Sequence, residues 1–112
     1  EECWLRLAAF FLEERGRGSG EQRGHEYFQD HLPVLEQDEA VGHAVRAGYL
    51  YTAMADFAAL SGDPAYAAAV DRLWQDAVQS KTYLTGGIGA RLFGHAGLGQ
   101  RSNGGRDRQA VQ

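Results

Sequence analysis

Glu36, Glu39 and His43 stand at i, i+3 and i+7, a spacing that puts two carboxylates and an imidazole on one helical face and sets Glu39 one turn from His43. Such groups are costly to bury on an apolar helix unless they pair or act. Two readings stand side by side: a structural link between Glu39 and His43 with Arg46 nearby, or the E-x-x-x-H pair of a metal site. Thr85-Gly86-Gly87-Ile88-Gly89 offers main-chain amides unobstructed by side chains, fit for an anion or a close-packed ligand, and fit equally for a tight turn. No Lys-Ser/Thr follows it, which rejects a nucleotide P-loop. His25, Tyr27 and His31 fall in a long loop, where they face either a substrate or solvent. Cys3 is the single cysteine, so an intramolecular disulfide is impossible and a cysteine-built zinc site cannot close within the chain. Its expected role is that of a small buried apolar side chain.

The elements that must position these residues read as helices. From about Glu2 to Arg15, Leu5, Ala8, Ala9 and Leu12 form a helical stripe flanked by Trp4, Phe10 and Phe11, and Gly16 stops it. Residues 16–37 lose that period, and a loop of such length either carries function or packs on its own aromatics. From Asp38 to Leu60 the chain returns to helix, with small or apolar residues on nearly every face, so this helix must be surrounded by protein. Ser61-Gly62 closes it, Asp63 is a good N-cap, and Pro64 suits the first position of the next helix, which runs to about Ser80. That last helix places Ala67, Val70, Leu73, Trp74, Ala77 and Val78 on one side and Asp71, Arg72, Gln75, Asp76 and Gln79 on a wet one. A helix apolar all round between helices apolar on one side marks a two-layer helical array. Three helices cannot cover the middle one, so further helix pairs are expected to surround it.

Composition bounds the rest. The chain has 112 residues, 44% of them hydrophobic and 23% charged, with a net charge of −4, which describes one soluble unit at most. No run approaches the roughly 18 apolar residues of a membrane span, and the acidic balance gives no general attraction for nucleic acid or anionic lipid. Residues 94–112 carry Arg101, Arg106 and Arg108 against Asp107 among glycines and polar residues, and read as a disordered tail. Without interleaved aromatics those arginines do not make an RNA-binding segment. The chain opens at Glu1 with no signal-peptide pattern, so it reads as an internal piece of something longer, and the expected compartment is cytoplasmic. The apolar faces of the 38–60 helix predict non-specific self-association.

The stretch from His31 through Asp56, with E-Q-D-E-A-V-G-H-A-V-R-A over residues 36–47, is followed by Lys81-Thr82-Tyr83-Leu84 and T-G-G-I-G over residues 85–89. Together with F-x-x-E-R-G over residues 11–16, these blocks closely resemble glycoside hydrolase family 127, the β-L-arabinofuranosidases, across roughly residues 3 to 90. The resemblance implies an all-α fold, of which residues 1–93 would form about three helices of a partial (α/α)6 barrel. It implies retaining hydrolysis of terminal β-L-arabinofuranose or a related sugar from a carbohydrate substrate. In the family a zinc-held cysteine thiolate attacks the anomeric carbon, and a glutamate serves as general acid and base.

The carry-over is partial. The family's nucleophile and zinc ligands lie beyond the glycine-rich block, and Cys3 matches none of them, so no metal ligand and no catalytic residue is assigned here and no cofactor is expected in this chain. The acid/base glutamate is expected in a G-E motif shortly after T-G-G-I-G, where this sequence has Gly94-His95. Of the matched residues, His43 is assigned by the resemblance to the sugar pocket as a hydrogen-bond partner of a furanose hydroxyl, with Glu36 and Gln37 as weaker substrate-binding candidates. The isolated chain is expected to be inactive. A helical-repeat interaction module is the rival reading; it requires self-similarity at a fixed period of roughly 30 to 45 residues, which the sequence lacks. Dialysed protein is expected to retain far less than one zinc per chain by elemental analysis; stoichiometric zinc lost on Cys3→Ser would contradict this.

Overall fold

Gly16 and the Gly62-Asp63-Pro64 run cut the chain into helical lengths, and the computed structural model shows what each break does. It describes residues 2–18 and 25–88. Among them are three α-helices, α1 (Glu2–Glu14), α2 (Ala44–Ser61) and α3 (Pro64–Asp76). Short 3-10 turns at Glu26–Phe28 and Val34–Glu36 punctuate the long loop, and a π-helical turn at Ala77–Lys81 prolongs α3. The tail expected over residues 94–112 lies outside the described residues.

Each helix end has a physical cause. Beyond α1, Gly16 takes a left-handed backbone with φ +80° and packs so tightly that a Cβ there would overlap the main chain at Leu32 and Pro33. At the end of α2, Gly62 (φ 72°) is the left-handed cap, its N–H reaching the Ala58 carbonyl at 2.9 Å; glycine reaches this region without the Cβ penalty. Asp63 then accepts the Ala65 N–H at 2.8 Å with Pro64 in the first turn of α3, satisfying one of the amides that a helix start leaves unbonded.

α2 and α3 therefore fold back on each other as an αα-hairpin, and α1 lies against them. The main core joins Leu12 of α1, Val34 of the loop, Met54 and Phe57 of α2, and Tyr66, Ala69 and Leu73 of α3. Phe57 and Tyr66 meet edge to face with centroids 4.7 Å apart, a favoured aromatic geometry. A second, small-residue cluster of Ala40, Ala47 and Ala77 lets the segment before α2 pass close to the end of α3.

The largest departure from the periodicity concerns α2, which begins at Ala44 rather than Asp38. Gly42 has φ +80°, and a Cβ there would overlap the Glu26 carbonyl oxygen; His43, at φ −66° and ψ 117°, is extended and caps the helix. Tertiary hydrogen bonds to residues 40–43 outweigh their helical preference. In consequence Glu39 and His43 do not share a helical face.

The apolar circumference of α2 is only partly covered. Ala47, Met54 and Phe57 are buried, whereas Val45 and Tyr49 remain 61% and 76% exposed. Trp4, Phe10 and Phe11 of α1 and Trp74 of α3 are also exposed. Among the described residues no helix is long and apolar enough to cross a membrane.

Leu73 has no exposed surface and sits where all three helices converge. Leu73→Ala is expected to lower the unfolding free energy by about 2 to 5 kcal/mol, the usual cost of a buried leucine cavity. Urea denaturation followed by circular dichroism measures it, and a change under about 1 kcal/mol would show that this core is not closely packed.

Candidate functional site

His43 is delivered to the first turn of α2 by an extended run, and its main chain is held on both sides. Its N–H donates to the Tyr27 carbonyl at 3.0 Å, and its carbonyl accepts from Gln29 Nε2 at 3.3 Å. The ring Nδ1 accepts from the Arg46 N–H at 3.4 Å. A neutral imidazole accepting at Nδ1 carries its proton on Nε2. This partly exposed side chain therefore offers an N–H donor away from the helix. Tyr27 packs edge-on to the imidazole with centroids 5.5 Å apart, and the Arg46 guanidinium lies over the Phe28 ring at 5.0 Å. His43, Tyr27, Phe28 and Arg46 thus form one aromatic and cationic cluster, and Arg15 donates to the Phe28 carbonyl beneath it.

The other residues singled out in the sequence are used differently. Glu36 is exposed at the end of the Val34–Glu36 turn. Gln37 is fully buried, and its Nε2 donates to the carbonyls of Gln29 and Leu32, both at 2.9 Å; its donor amide braces the loop. Glu39 pairs with Lys81 at 2.8 Å, and the Lys81 side chain is only 4% exposed. That ion pair overturns the expected Glu39 to His43 link: with residues 38–43 extended, the carboxylate meets a lysine from the far end of α3 instead. His25 is exposed, its main-chain N–H donating to Asp30 Oδ1 at 2.7 Å; His31 is partly exposed.

The glycine-rich block resolves as a turn. Gly86 N–H bonds to the Tyr83 carbonyl at 2.9 Å and Tyr83 N–H to Gly87 at 2.8 Å, with Gly86 at φ 87° and a bridge between Thr82 and Ile88. This is a type I turn closed by a glycine bulge, and residues 89 onward lie outside the described residues. Cys3 is exposed on α1 rather than buried, because it lies off the stripe that faces the core. Among the described residues no three His, Cys, Asp or Glu converge to hold a metal. The zinc implied by the resemblance does not fit these residues.

Three contributors were not legible as such. Asp76, expected on the wet face of α3, is 2% exposed; its Oδ2 accepts the Ala40 N–H at 2.9 Å and its Oδ1 the Ser80 hydroxyl at 3.3 Å. Gln29, also buried, donates from Nε2 to the carbonyls of Tyr27 and Val41 at 3.1 and 3.0 Å. Tyr51 lies between this segment and α3. Burial pushes its phenol up to about 12; the Val41 main chain pulls it back in part, and the nearby Asp76 charge raises it further. The only advance signal was that polar residues recur around one apolar run, which is weak by itself.

The catalytic-domain model of the β-L-arabinofuranosidases, family GH127, matches residues 1–101, a range that includes residues 94–101. The non-reducing end β-L-arabinofuranosidase of Bifidobacterium longum subsp. longum is 32% identical over 86% of this chain and 17% of its own length. A solved GH127 β-arabinofuranosidase superposes with a TM-score of 0.76 at 52% identity, covering 87% of this chain and 15% of that one. The GH127 β-L-arabinofuranosidase of Geobacillus stearothermophilus T6 gives a TM-score of 0.76 at 39% identity, with coverages of 88% and 18%. The chain thus spans less than a fifth of the length of each relative.

The Tyr51 environment makes a pH prediction. A phenol raised from 10 to about 12 on folding favours the folded state fully below pH 10, and that contribution is lost as pH rises from about 10 through 12. Stability measured by urea denaturation is expected to fall more steeply across that window in the parent chain than in Tyr51→Phe; parallel profiles would contradict the assignment.

Proposed function

We propose, from the premise that this chain belongs to the GH127 β-L-arabinofuranosidase catalytic-domain family, that it forms one wall of a sugar-binding pocket in an enzyme releasing terminal β-L-arabinofuranose or a related sugar. The fold supports this reading: these helices are part of an (α/α)6 barrel of the kind seen in the family. What carries it is the geometry at His43, where one ring nitrogen is engaged by the first turn of α2 and the other is left as a donor.

In this reading His43 Nε2–H donates to a furanose hydroxyl. Tyr27, edge-on to the imidazole, limits its rotation, and Arg46 over Phe28 closes one side against water. The donor is presented without reorganisation when sugar arrives, which is what a preorganised polar partner contributes to catalysis. Glu36, being exposed, is the second candidate contact. Gln37 acts through the loop it braces.

Glycoside hydrolysis requires a group that protonates the leaving oxygen and a nucleophile or activated water. No paired carboxylates of that kind have been identified among the described residues, so the role proposed for this chain is binding and orientation rather than bond cleavage. The zinc chemistry of the family would keep an attacking sulfur deprotonated, with donors other than those described here. Binding of a carbohydrate substrate is the partner proposed.

The test is alanine substitution of the histidine equivalent to His43 in a full-length relative. Loss of one hydrogen bond in a pocket that excludes water costs about 1 to 3 kcal/mol, or about one to two orders of magnitude in kcat/KM. Because Glu39 is paired with Lys81, no carboxylate is stranded and only the helix cap is lost, at about 0.5 to 2 kcal/mol. A large fall in Tm with unaltered kcat/KM in the remaining folded enzyme would remove His43 from the sugar site.

A further inference from the structure

We propose that Asp76 and Gln29 are positioning residues for His43, fixing from two sides the extended run of residues 40–42 that carries the imidazole to the start of α2. The inference rests on the sugar-binding reading of His43 and adds two residues that themselves touch no sugar.

Residues 40–43 have an extended backbone with no neighbouring strand to bond it. Ala40 and Val41 are nevertheless buried, at 0% and 3% exposure, and buried main-chain groups need partners. Side chains supply them. Asp76 Oδ2 takes the Ala40 N–H at 2.9 Å, while Gln29 Nε2 serves the Val41 carbonyl at 3.0 Å and the His43 carbonyl at 3.3 Å. A carboxylate on a buried N–H is a charge-assisted bond, roughly twice as strong as a neutral one.

Both residues are held in uncommon local geometry. Gln29 adopts a left-handed backbone at φ 55°, unfavourable for a residue with a side chain. Asp76 sits where α3 widens into the π-helical turn at Ala77–Lys81, which brings Ser80 to its second oxygen and Lys81 to Glu39. Strained residues persist only where the surroundings over-determine them, and they gather at sites of function. Here both converge on the same four-residue run. The arrangement leaves His43 little freedom of approach: its N–H is on Tyr27, its carbonyl is on Gln29, and Gly42 is pressed against Glu26.

The experiment uses the full 112-residue chain, 15N-labelled, with no sugar present. In the parent, the imidazole 15N spectrum of His43 in its neutral form is expected to show one tautomer, protonated at Nε2, and the Ala40 amide to exchange slowly. Asp76→Ala and Gln29→Ala are expected to mix the tautomers and to speed Ala40 and His43 amide exchange by about tenfold or more. Asp76→Asn keeps an acceptor oxygen and is expected to preserve the parental pattern. An averaged His43 ring in the parent, an unchanged ring in both alanine variants, or Asp76→Asn as disruptive as Asp76→Ala would overturn the inference. So would loss of helical circular dichroism in both alanine variants, since that would make them determinants of the fold as a whole. The outcome separates from the kinetic test of His43: a fixed ring with no effect on kcat/KM defeats the sugar-binding reading alone, and a mobile ring with a large effect defeats the positioning alone.

Discussion

The hydrogen bond from the Ala40 N–H to Asp76 Oδ2 is the contact on which the arrangement around His43 depends. It ties the end of α3 to a backbone that would otherwise continue as helix, and it does so where both partners are out of water. Breaking it would strand a carboxylate near the Tyr51 phenol, an expensive place for an uncompensated charge. The small side chains of Ala40, Ala47 and Ala77 allow the close approach. The Glu39 to Lys81 ion pair repeats the connection one residue earlier in the loop, so the E-Q-D-E and K-T-Y-L blocks, far apart in the chain, are joined in space.

Helix stops and starts were readable because they are local. Gly16, Gly62, Asp63 and Pro64 act through their own backbone preferences, and the structure uses each as its chemistry dictates. The core stripe of Leu12, Leu73 and their neighbours follows from the 3.6-residue period. The start of α2 was not readable, because Val41 and the residues around it are compatible with helix and only partners from α3 and the loop pull them straight. Only a left-handed Gly42 marks the interruption, and a glycine within a helical pattern does not announce its φ.

The site was legible to a similar depth. His43 stood out by its place in a specific block, and its geometry as a cap with a free donor agrees with a contact role without establishing one. Gln37 shows the limit of motif reading: a polar residue beside the motif is spent on the Gln29 and Leu32 carbonyls. Asp76 and Gln29 escaped notice because helical periodicity assigns polar residues to solvent. A buried polar side chain satisfied by distant main chain leaves no periodic signature. The exposed Val45, Tyr49 and Trp74 have the opposite origin: their apolarity was read correctly, and the chain spans under a fifth of its structural relatives.

The π-helical turn at Ala77–Lys81 has a consequence for how this region tolerates length change. An i→i+5 turn holds one more residue than an α-helical one, so it is in effect an insertion absorbed by the helix. Deleting a single residue there would restore the regular winding and keep every hydrogen bond of the helix, yet it would swing all that follows by about 100° around the axis. Lys81 would leave Glu39, and the Tyr83 to Gly87 turn would be aimed at a different sector of the molecule. Indel spacing, rather than residue identity, is therefore the quantity to compare across relatives between Asp76 and Gly86.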